Sequence, residues 1–347
     1  MKSVDLFAGA GGLSLGLSRV GIECVIANEM MEDAAKTFKL NNPNSVVINK
    51  DIRKVEFIDE LKLLNLKPGD IDILCGGPPC QGYSTIGNKI NSDPRNSLFR
   101  EFLRAVKEID PKYVLFENVS GFRTLYGGFA FQELTSELEY MGYSYDWAPM
   151  QASNFGVPQS RVRTIVLATK KGNKKILLPK GDNKRISIMD AIGDLPELSA
   201  NEWVSRYDII PHTPYQLAIR NGETTLRDHD SSNYGENMRK ILSSIPEGGN
   251  KFDIPENIRP KKGFANAYAR LRGSEPSTTI TRNFGTPSSS RCIHPTQNRA
   301  LSTREGARLQ SFPDTYQFVG GKGSKNLQIG NAVPPLVGEA IGKQFFL

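Results

Sequence analysis

The chain has 347 residues, 38% of them hydrophobic and 23% charged, the make-up of an ordinary globular protein with length for one large core or two domains, which excludes a disordered or fibrous chain. Its net charge of +7 is unevenly placed: residues 1–150 carry 16 Lys and Arg against 20 Asp and Glu, and the rest 28 against 17, so the second part has the charge to hold a polyanion. No basic leader precedes Val4-Asp5-Leu6-Phe7, no apolar run approaches membrane-spanning length, and four cysteines show no metal or disulfide spacing; no signal peptide, no membrane span, no metal, reduced thiols and a cytoplasmic protein are expected.

Residues 1–170 read as alternating strands and helices. Val4 to Phe7 is a predicted strand, and Gly12 to Val20 a helix with Leu13, Leu17 and Val20 at helical spacing and Gly21 as its cap. There follow strand Ile22 to Ala27, helix Met31 to Leu40, strand Val46 to Ile48, helix Phe57 to Leu64, strand Ile71 to Leu74, helix Leu98 to Ile109, strand Tyr113 to Phe116, helix Phe129 to Met141 and a β-rich stretch from Tyr143 to Lys170. Such alternation predicts an α/β fold with a doubly wound, mainly parallel sheet. Beyond Lys171 the pattern dissolves into Pro, Gly, Asn and basic residues, with isolated pieces such as helix Tyr234 to Ile245 and strand Thr278 to Thr281, until an apolar helix returns at Pro334 to Phe346. The expected division is a first domain of residues 1–175 plus 323–347 and a second, smaller, irregular and basic domain of residues 176–322.

Chemistry is expected where the predicted parallel strands end. Asp5-Leu-Phe7-Ala-Gly9-Ala10-Gly11-Gly12 joins the first strand to the first helix, and glycines there let backbone approach a ligand closely. Alone, this turn fits NAD, FAD, a methyl donor or a plain tight connection. Glu29 ends the second strand, where an acid can accept from a ribose diol, and Asp51 is read as closing the third, where it can meet an adenine amino group; together they favour an adenosine-type cofactor. Ile71 to Cys75 runs into Gly76-Gly77-Pro78-Pro79-Cys80-Gln81-Gly82-Tyr83-Ser84, which puts a thiol on a stiff loop past a strand end, where a nucleophile can work once its pKa is lowered. Glu117-Asn118-Val119 ends the neighbouring strand and offers a general acid or a partner for a heterocycle nitrogen. Arg161 and Arg163 alternate along one predicted strand, which would put both guanidinium groups on one face. Cys24 and Cys75 read as packing residues.

In this order the motifs resemble those of the C5-cytosine DNA methyltransferase family, over residues 5 to about 340. Asp5 to Gly12 is similar to its cofactor loop, Gly77 to Ser84 to its nucleophile loop, Glu117-Asn118-Val119 to its base-binding glutamate, and Gln159-Ser-Arg161-Val-Arg163 to its arginine pair. Arg304 to Pro313 resembles its ninth motif, and Gly330-Asn331-Ala-Val-Pro334 the segment that completes the cofactor pocket.

The resemblance implies a Rossmann-like class I S-adenosylmethionine-dependent methyltransferase fold with a target-recognition domain. It implies that Cys80 adds to C6 of a flipped-out cytosine in double-stranded DNA, Glu117 holds the ring, Arg161 and Arg163 orient it, and C5 takes the methyl group, S-adenosylhomocysteine being the product. Phe7, Gly9, Ala10, Gly11, Gly12, Glu29, Met30, Asp51, Ile52, Pro79, Leu98 and Asn331 would line the cofactor site; Met30 stands where the family often has an aromatic residue. Gln81, Ser84, Thr279, Arg270, Arg272, Arg282 and Arg291 would contact DNA, and the loop from Thr85 to Asn96 would close over the flipped base. A monomeric, nucleoid-associated member of a restriction-modification system with a cognate endonuclease is the implied setting. The alternatives weighed are a tRNA methyltransferase of the same fold, whose Cys-Phe-Thr signature is not found in this sequence, an inert DNA-binding homologue, and an NAD-dependent dehydrogenase.

Overall fold

The structure, a computed structural model, describes residues 1–79, 98–261, 267–289 and 291–347. The chain divides into two compact units. The first comprises residues 1–151, 162–181 and 337–347, and the second residues 152–161 and 182–336.

The first unit is a seven-stranded sheet in the order β3-β2-β1-β4-β5-β8-β6, formed by β1 (Lys2–Leu6), β2 (Glu23–Asn28), β3 (Val46–Ile48), β4 (Ile73–Gly76), β5 (Tyr113–Val119), β6 (Tyr143–Gln151) and β8 (Val162–Lys170). The first five are parallel, and β8 and β6 complete the edge antiparallel to β5 and to each other, respectively. The strand order turns back between β1 and β4, so the loops leaving these two strands diverge and open a crevice at their carboxyl ends. The connections between the parallel strands carry α1 (Gly12–Ser18), α2 (Glu32–Asn41), α3 (Phe57–Leu63) and α4 (Leu98–Ile109), and α5 (Phe129–Tyr140) joins β5 to β6. In α4, Phe99, Phe102, Leu103, Val106 and Ile109 recur at helical spacing and are buried, against a core that includes Val4, Leu6, Leu74, Val114, Phe116, Phe122 and Leu134.

The second unit has little regular structure. The two-residue strands β7 (Gln159–Ser160) and β9 (Ser277–Thr278) pair in parallel, and the helices are α6 (Ile188–Ile192), α7 (Pro214–Arg220), α8 (Glu236–Ser244), α9 (Thr303–Leu309) and α10 (Lys322–Asn331). The last helix, α11 (Pro335–Lys343), enters the first unit from Val337, where Glu339 pairs with Arg19 just after α1 at 3.3 Å. An apolar cluster of Ile241, Leu242, Ile245, Ile254, Ala267, Tyr268 and Ile293 is accompanied by a buried ionic lattice. Arg308 is held between Asp194 and Asp314, Arg220 also meets Asp194, and Arg299 grips Glu305 through both terminal nitrogens. Every member of α9 is buried, charged ones included, which is tolerable only because each charge has partners. Among the described residues no helix is long and apolar enough to cross a membrane, and no group of His, Cys, Asp and Glu is arranged to hold a metal.

The lattice gives the unit a definite acid response. Burial lowers the His294 pKa to about 4 from its ordinary 6.5, against the opposing pull of Glu305, and His229 is likewise lowered by burial. A histidine lowered in the folded state binds its proton more readily when unfolded, so stability is full above 6.5 and is lost as pH falls through 4. Urea unfolding between pH 7 and 4 should show that loss, and His294→Gln should flatten it by at most about 3 kcal/mol. An unchanged slope in that variant would contradict the assignment.

Candidate functional site

The turn between β1 and α1 is built on three left-handed residues, Phe7 at φ 55°, Gly9 at 55° and Gly11 at 82°. Glycine accepts that conformation readily, whereas Phe7 is strained there and has to be held by its surroundings. The base of the turn is closed by a buried bond from the Ser14 hydroxyl to Asp5 Oδ2, 2.6 Å, and burial raises the Asp5 carboxyl to about 7 although Ser14 and Cys75 donate to it. Its apex is tied to β2: Gly9 N–H donates to Glu29 Oε2 at 2.9 Å, and Met31 N–H to Oε1 at 2.7 Å. Burial raises the Glu29 pKa while these amide donors work against it. The Asn28 amide donates to the carbonyls of Ile48 and Lys50, and Asn49 to that of Glu29, so the ends of β2 and β3 are laced together.

Asp51 stands one step further than the sequence places it. β3 stops at Ile48, and Asp51 caps a short 3-10 turn (Ile52–Lys54), accepting from Arg53 N–H. Its carboxylate also takes the Arg53 guanidinium, with Nη2 to Oδ2 at 2.5 Å, and these bonds hold it down at about 2. Ile52 is buried and Met30 is 66% exposed. The register Leu6 opposite Asn28 and Asn28 opposite Ile48 thus sets Phe7 to Gly12, Glu29 with Met30, and Asp51 with Ile52 along one rim of the sheet. The residue set suits an adenosine-bearing group: carboxylates for hydroxyl or amino hydrogens, open space beside Gly9 where a ligand can come close to the backbone, and apolar side chains for a flat ring.

Next along the rim, β4 ends at Gly76 and Gly77 follows it; a side chain at Gly76 would run into backbone, and one at Gly77 would push on the Glu117 carboxylate. A Cβ on Gly76 would lie 2.3 Å from Leu6 O, and one on Gly77 2.6 Å from Glu117 Oε2. The Glu117 carboxylate therefore lies directly against the loop that leads to Cys80. Asn118 fixes that loop by donating to Pro78 O at 3.0 Å. Its own amide oxygen accepts from Val119 N–H. Arg163 Nε stands 3.1 Å from Glu117 Oε1, across the antiparallel β5–β8 pair where Val119 faces Arg163. Burial lowers the Arg163 pKa, and Glu117 opposes that shift.

Pro79 is half-buried, as is Leu98, the first residue of α4. Cys80, Gln81, Ser84 and the loop from Thr85 to Asn96 lie outside the described residues. The other three cysteines, Cys24, Cys75 and Cys292, are buried and burial pushes their thiols up, Cys24 to about 12, so none of them is poised as a nucleophile.

The two arginines of the Arg-x-Arg element do not share a strand face, contrary to the alternation read from the sequence. Arg161 falls between β7 and β8, in the second unit, and is 2% exposed. One of its nitrogens donates to the carbonyls of Ile280 and Gly330, at 3.3 and 3.1 Å. Arg163 stands at the Glu117 carboxylate. Asn331, at the end of α10, is exposed and belongs to the second unit.

Arg270 is interior rather than available to a duplex: its guanidinium donates to the carbonyls of Leu242, Ile245, His294 and Gln297 and to Asn298 Oδ1. Arg272, Arg282 and Arg291 are exposed. Thr279 is half-buried and donates to Ser160 O. Sequence reasoning missed Asn118 as the clamp on the cysteine loop. A side-chain amide following the rim glutamate, with two prolines on the neighbouring loop, was the available signal.

A mainly parallel sheet that turns back at β1 and β4, with a glycine turn and successive acids on its carboxyl rim, is the Rossmann-like fold of class I methyltransferases. The chain matches the C-5 cytosine-specific DNA methylase family over residues 1–346 and belongs to it; its activity is that of a DNA cytosine-5 methyltransferase. It is 34% identical over 343 residues to the Type II methyltransferase M1.HphI of Haemophilus parahaemolyticus, covering 98% of this chain and 85% of that one. Against the Type II methyltransferase M.DdeI of Desulfomicrobium norvegicum the identity is 35% over 373 residues, covering 99% and 88%. Among solved structures, a prophage-encoded protein of E. coli described as a DNA modification methyltransferase is similar at a TM-score of 0.81 and 26% identity, covering 100% and 98% of the two chains. The Dnmt2 methyltransferase of S. pombe shares the fold, at a TM-score of 0.65 and 17% identity, covering 98% and 96%.

The contact at Gly77 makes a sharp test. Gly77→Ala should displace the Glu117 carboxylate and lower the rate of methyl transfer to DNA by about a hundredfold, the scale of an ångström of misplacement, while methyl-donor affinity measured by calorimetry stays within about twofold. A variant as active as the parent would show that Glu117 has no fixed place.

Proposed function

We propose that the chain methylates C5 of a cytosine flipped out of double-stranded DNA through a covalent Cys80 adduct, as the modification half of a Type II restriction-modification system. The observation that carries this reading is the Glu117 carboxylate packed against Gly77, on the loop leading into Cys80. The Type II naming of M1.HphI and M.DdeI supports the setting, in which the enzyme acts as a cytoplasmic monomer on nucleoid DNA and shields it from a cognate endonuclease.

Cytosine C5 is a weak nucleophile within an aromatic ring. Addition of the Cys80 thiolate at C6 breaks that aromaticity, and Glu117, holding N3 and the exocyclic amine, stabilises the electron density that reaches the ring. C5 then behaves as an enamine carbon. After it is methylated, a base removes the C5 proton and the C6–S bond breaks, which returns the thiolate and restores the ring. Arg163 holds Glu117 in place and neutralises charge beside it, and Arg161 acts from the interior of the second unit as a positioning residue.

S-adenosylmethionine, when bound, supplies a methyl group made electrophilic by a sulfonium centre. Glu29 would hold its ribose hydroxyls and Asp51 its adenine amino group, with Phe7, Met30, Ile52, Pro79 and Leu98 as apolar walls, the backbone from Gly9 to Gly12 near its polar end, and Asn331 completing the site. C6 is out of reach of a thiolate within the stacked duplex, so the base has to be extruded. Gln81, Ser84 and Thr279 would contact the opened duplex, and Arg272, Arg282 and Arg291 its phosphates or guanine edges.

Bisulfite sequencing of DNA from cells expressing the protein should find protected cytosines in one sequence context. Cys80→Ser should abolish that protection yet still bind duplex DNA; an active serine variant, or methyl label entering tRNA alone, would refute the reading. Replacing Arg282 with Ala should weaken DNA binding and reduce the slope of log affinity against log salt by about one if it meets a phosphate, and an unchanged slope would remove it from the interface.

A further inference from the structure

Three buried side chains of the second unit carry polar bonds that neither the sheet nor the catalytic rim explains. Gln159 and Gln310 are fully buried. The Gln159 amide nitrogen donates to Leu309 O at 3.1 Å and to Gln310 Oε1 at 2.9 Å, and its oxygen accepts from Ile280 N–H at 2.8 Å. Gln310 in turn donates to Ile329 O at 2.6 Å. Arg161 spans the same gap from the other side, with one nitrogen on both Ile280 O and Gly330 O. The backbones meet directly as well: a Cβ on Gly330 would lie 2.4 Å from Arg282 N.

Two segments are thereby clamped on one polar hub. One runs from β9 through Thr279, Ile280 and Thr281 to the exposed Arg282. The other is the end of α10, which delivers Asn331. A buried network in which both glutamine amides are paired through nitrogen and oxygen has few alternative arrangements, because opening one bond strands a polar group away from water. Displacement at either segment is therefore passed to the other instead of being absorbed.

We propose that Gln159, Gln310 and Arg161 are positioning residues that couple the two segments, so that the nucleoside cofactor held at Asn331 and the duplex met at Thr279 to Arg282 bind cooperatively. This rests on the functional reading above, which gives Asn331 to the cofactor and Thr279 to Arg282 to DNA. Cofactor binding orders the end of α10, the hub carries that order to Ile280, and the recognition segment is set before DNA arrives. The coupling is reciprocal, since DNA must raise cofactor affinity by the same factor.

The test uses the intact protein, S-adenosylhomocysteine as a non-reacting cofactor, and a duplex carrying the site identified by bisulfite sequencing. S-adenosylhomocysteine should tighten duplex binding by about fivefold or more, and Gln310→Met should bring that ratio to about one while leaving affinity for each ligand alone within about twofold. Amide exchange in the unaltered protein gives a second reading that depends on no variant: exchange at Ile280 should slow when S-adenosylhomocysteine is added without DNA. A ratio near one in the parent protein, a folded Gln310→Met with the ratio intact, or an Ile280 amide indifferent to cofactor would each overturn the coupling. If the parent enzyme methylates DNA at a defined site and these outcomes still fail, the coupling falls and the functional reading stands. If it methylates no DNA, the functional reading itself has failed.

Discussion

The parallel pairing of β4 with β5, with Gly76 opposite Phe116, is the constraint on which the rim around Glu117 depends. It sets the two strand ends side by side, so that Gly77 has to be a glycine to clear the Glu117 carboxylate and Asn118 can reach back to the Pro78 carbonyl. A loop of glycines and prolines would otherwise wander or stiffen in an arbitrary direction. Here its stiffness is aimed by one amide hydrogen bond and one steric limit. The same pairing, continued through β1, brings the glycine turn and its acids to the neighbouring stretch of rim, and the antiparallel β8 then delivers Arg163 from the other side of Glu117.

The two units achieve order by different means. In the first, apolar side chains on α3, α4 and α5 pack into one core with the sheet, and the rim residues stand at strand ends, as Glu117 and Arg163 do, or on the loops that follow them. In the second, much of the interior is charged, with Arg308, Arg299 and Arg304 buried beside their carboxylates and carbonyls. Such an interior contributes little net stability compared with an apolar one of the same volume, yet it penalises every arrangement that leaves a charge alone. Irregular backbone with few ladder bonds can be held in one conformation in this way.

These differences explain what could be read from the chain. Helix α4 and strand β3 fall at the residues expected, because Phe99, Phe102, Val106 and Ile109 repeat at helical spacing and Val46 to Ile48 is a short apolar run. The rim acids and glycines were legible too, since they follow predicted strand ends. The interior of the second unit was not: Lys322 to Asn331 forms a helix without an apolar stripe, and a buried arginine such as Arg270 has the same letter as an exposed one. Strand alternation was followed one step too far at Arg161, where the chain passes from β7 to β8 and the periodicity breaks. Asp51 was misplaced for a similar local reason: the strand ends early and a capping turn takes over.

The central claim is that the chemistry is covalent and begins at Cys80. The most direct measurement is to incubate the enzyme and its methyl donor with a duplex in which the target cytosine is replaced by 5-fluorocytosine, whose C5 fluorine cannot leave as the proton does. Digestion and mass spectrometry of the trapped complex should find the nucleotide on the peptide containing Cys80. A trapped adduct on any other residue, or full methyl transfer to normal DNA with no adduct formed, would contradict it.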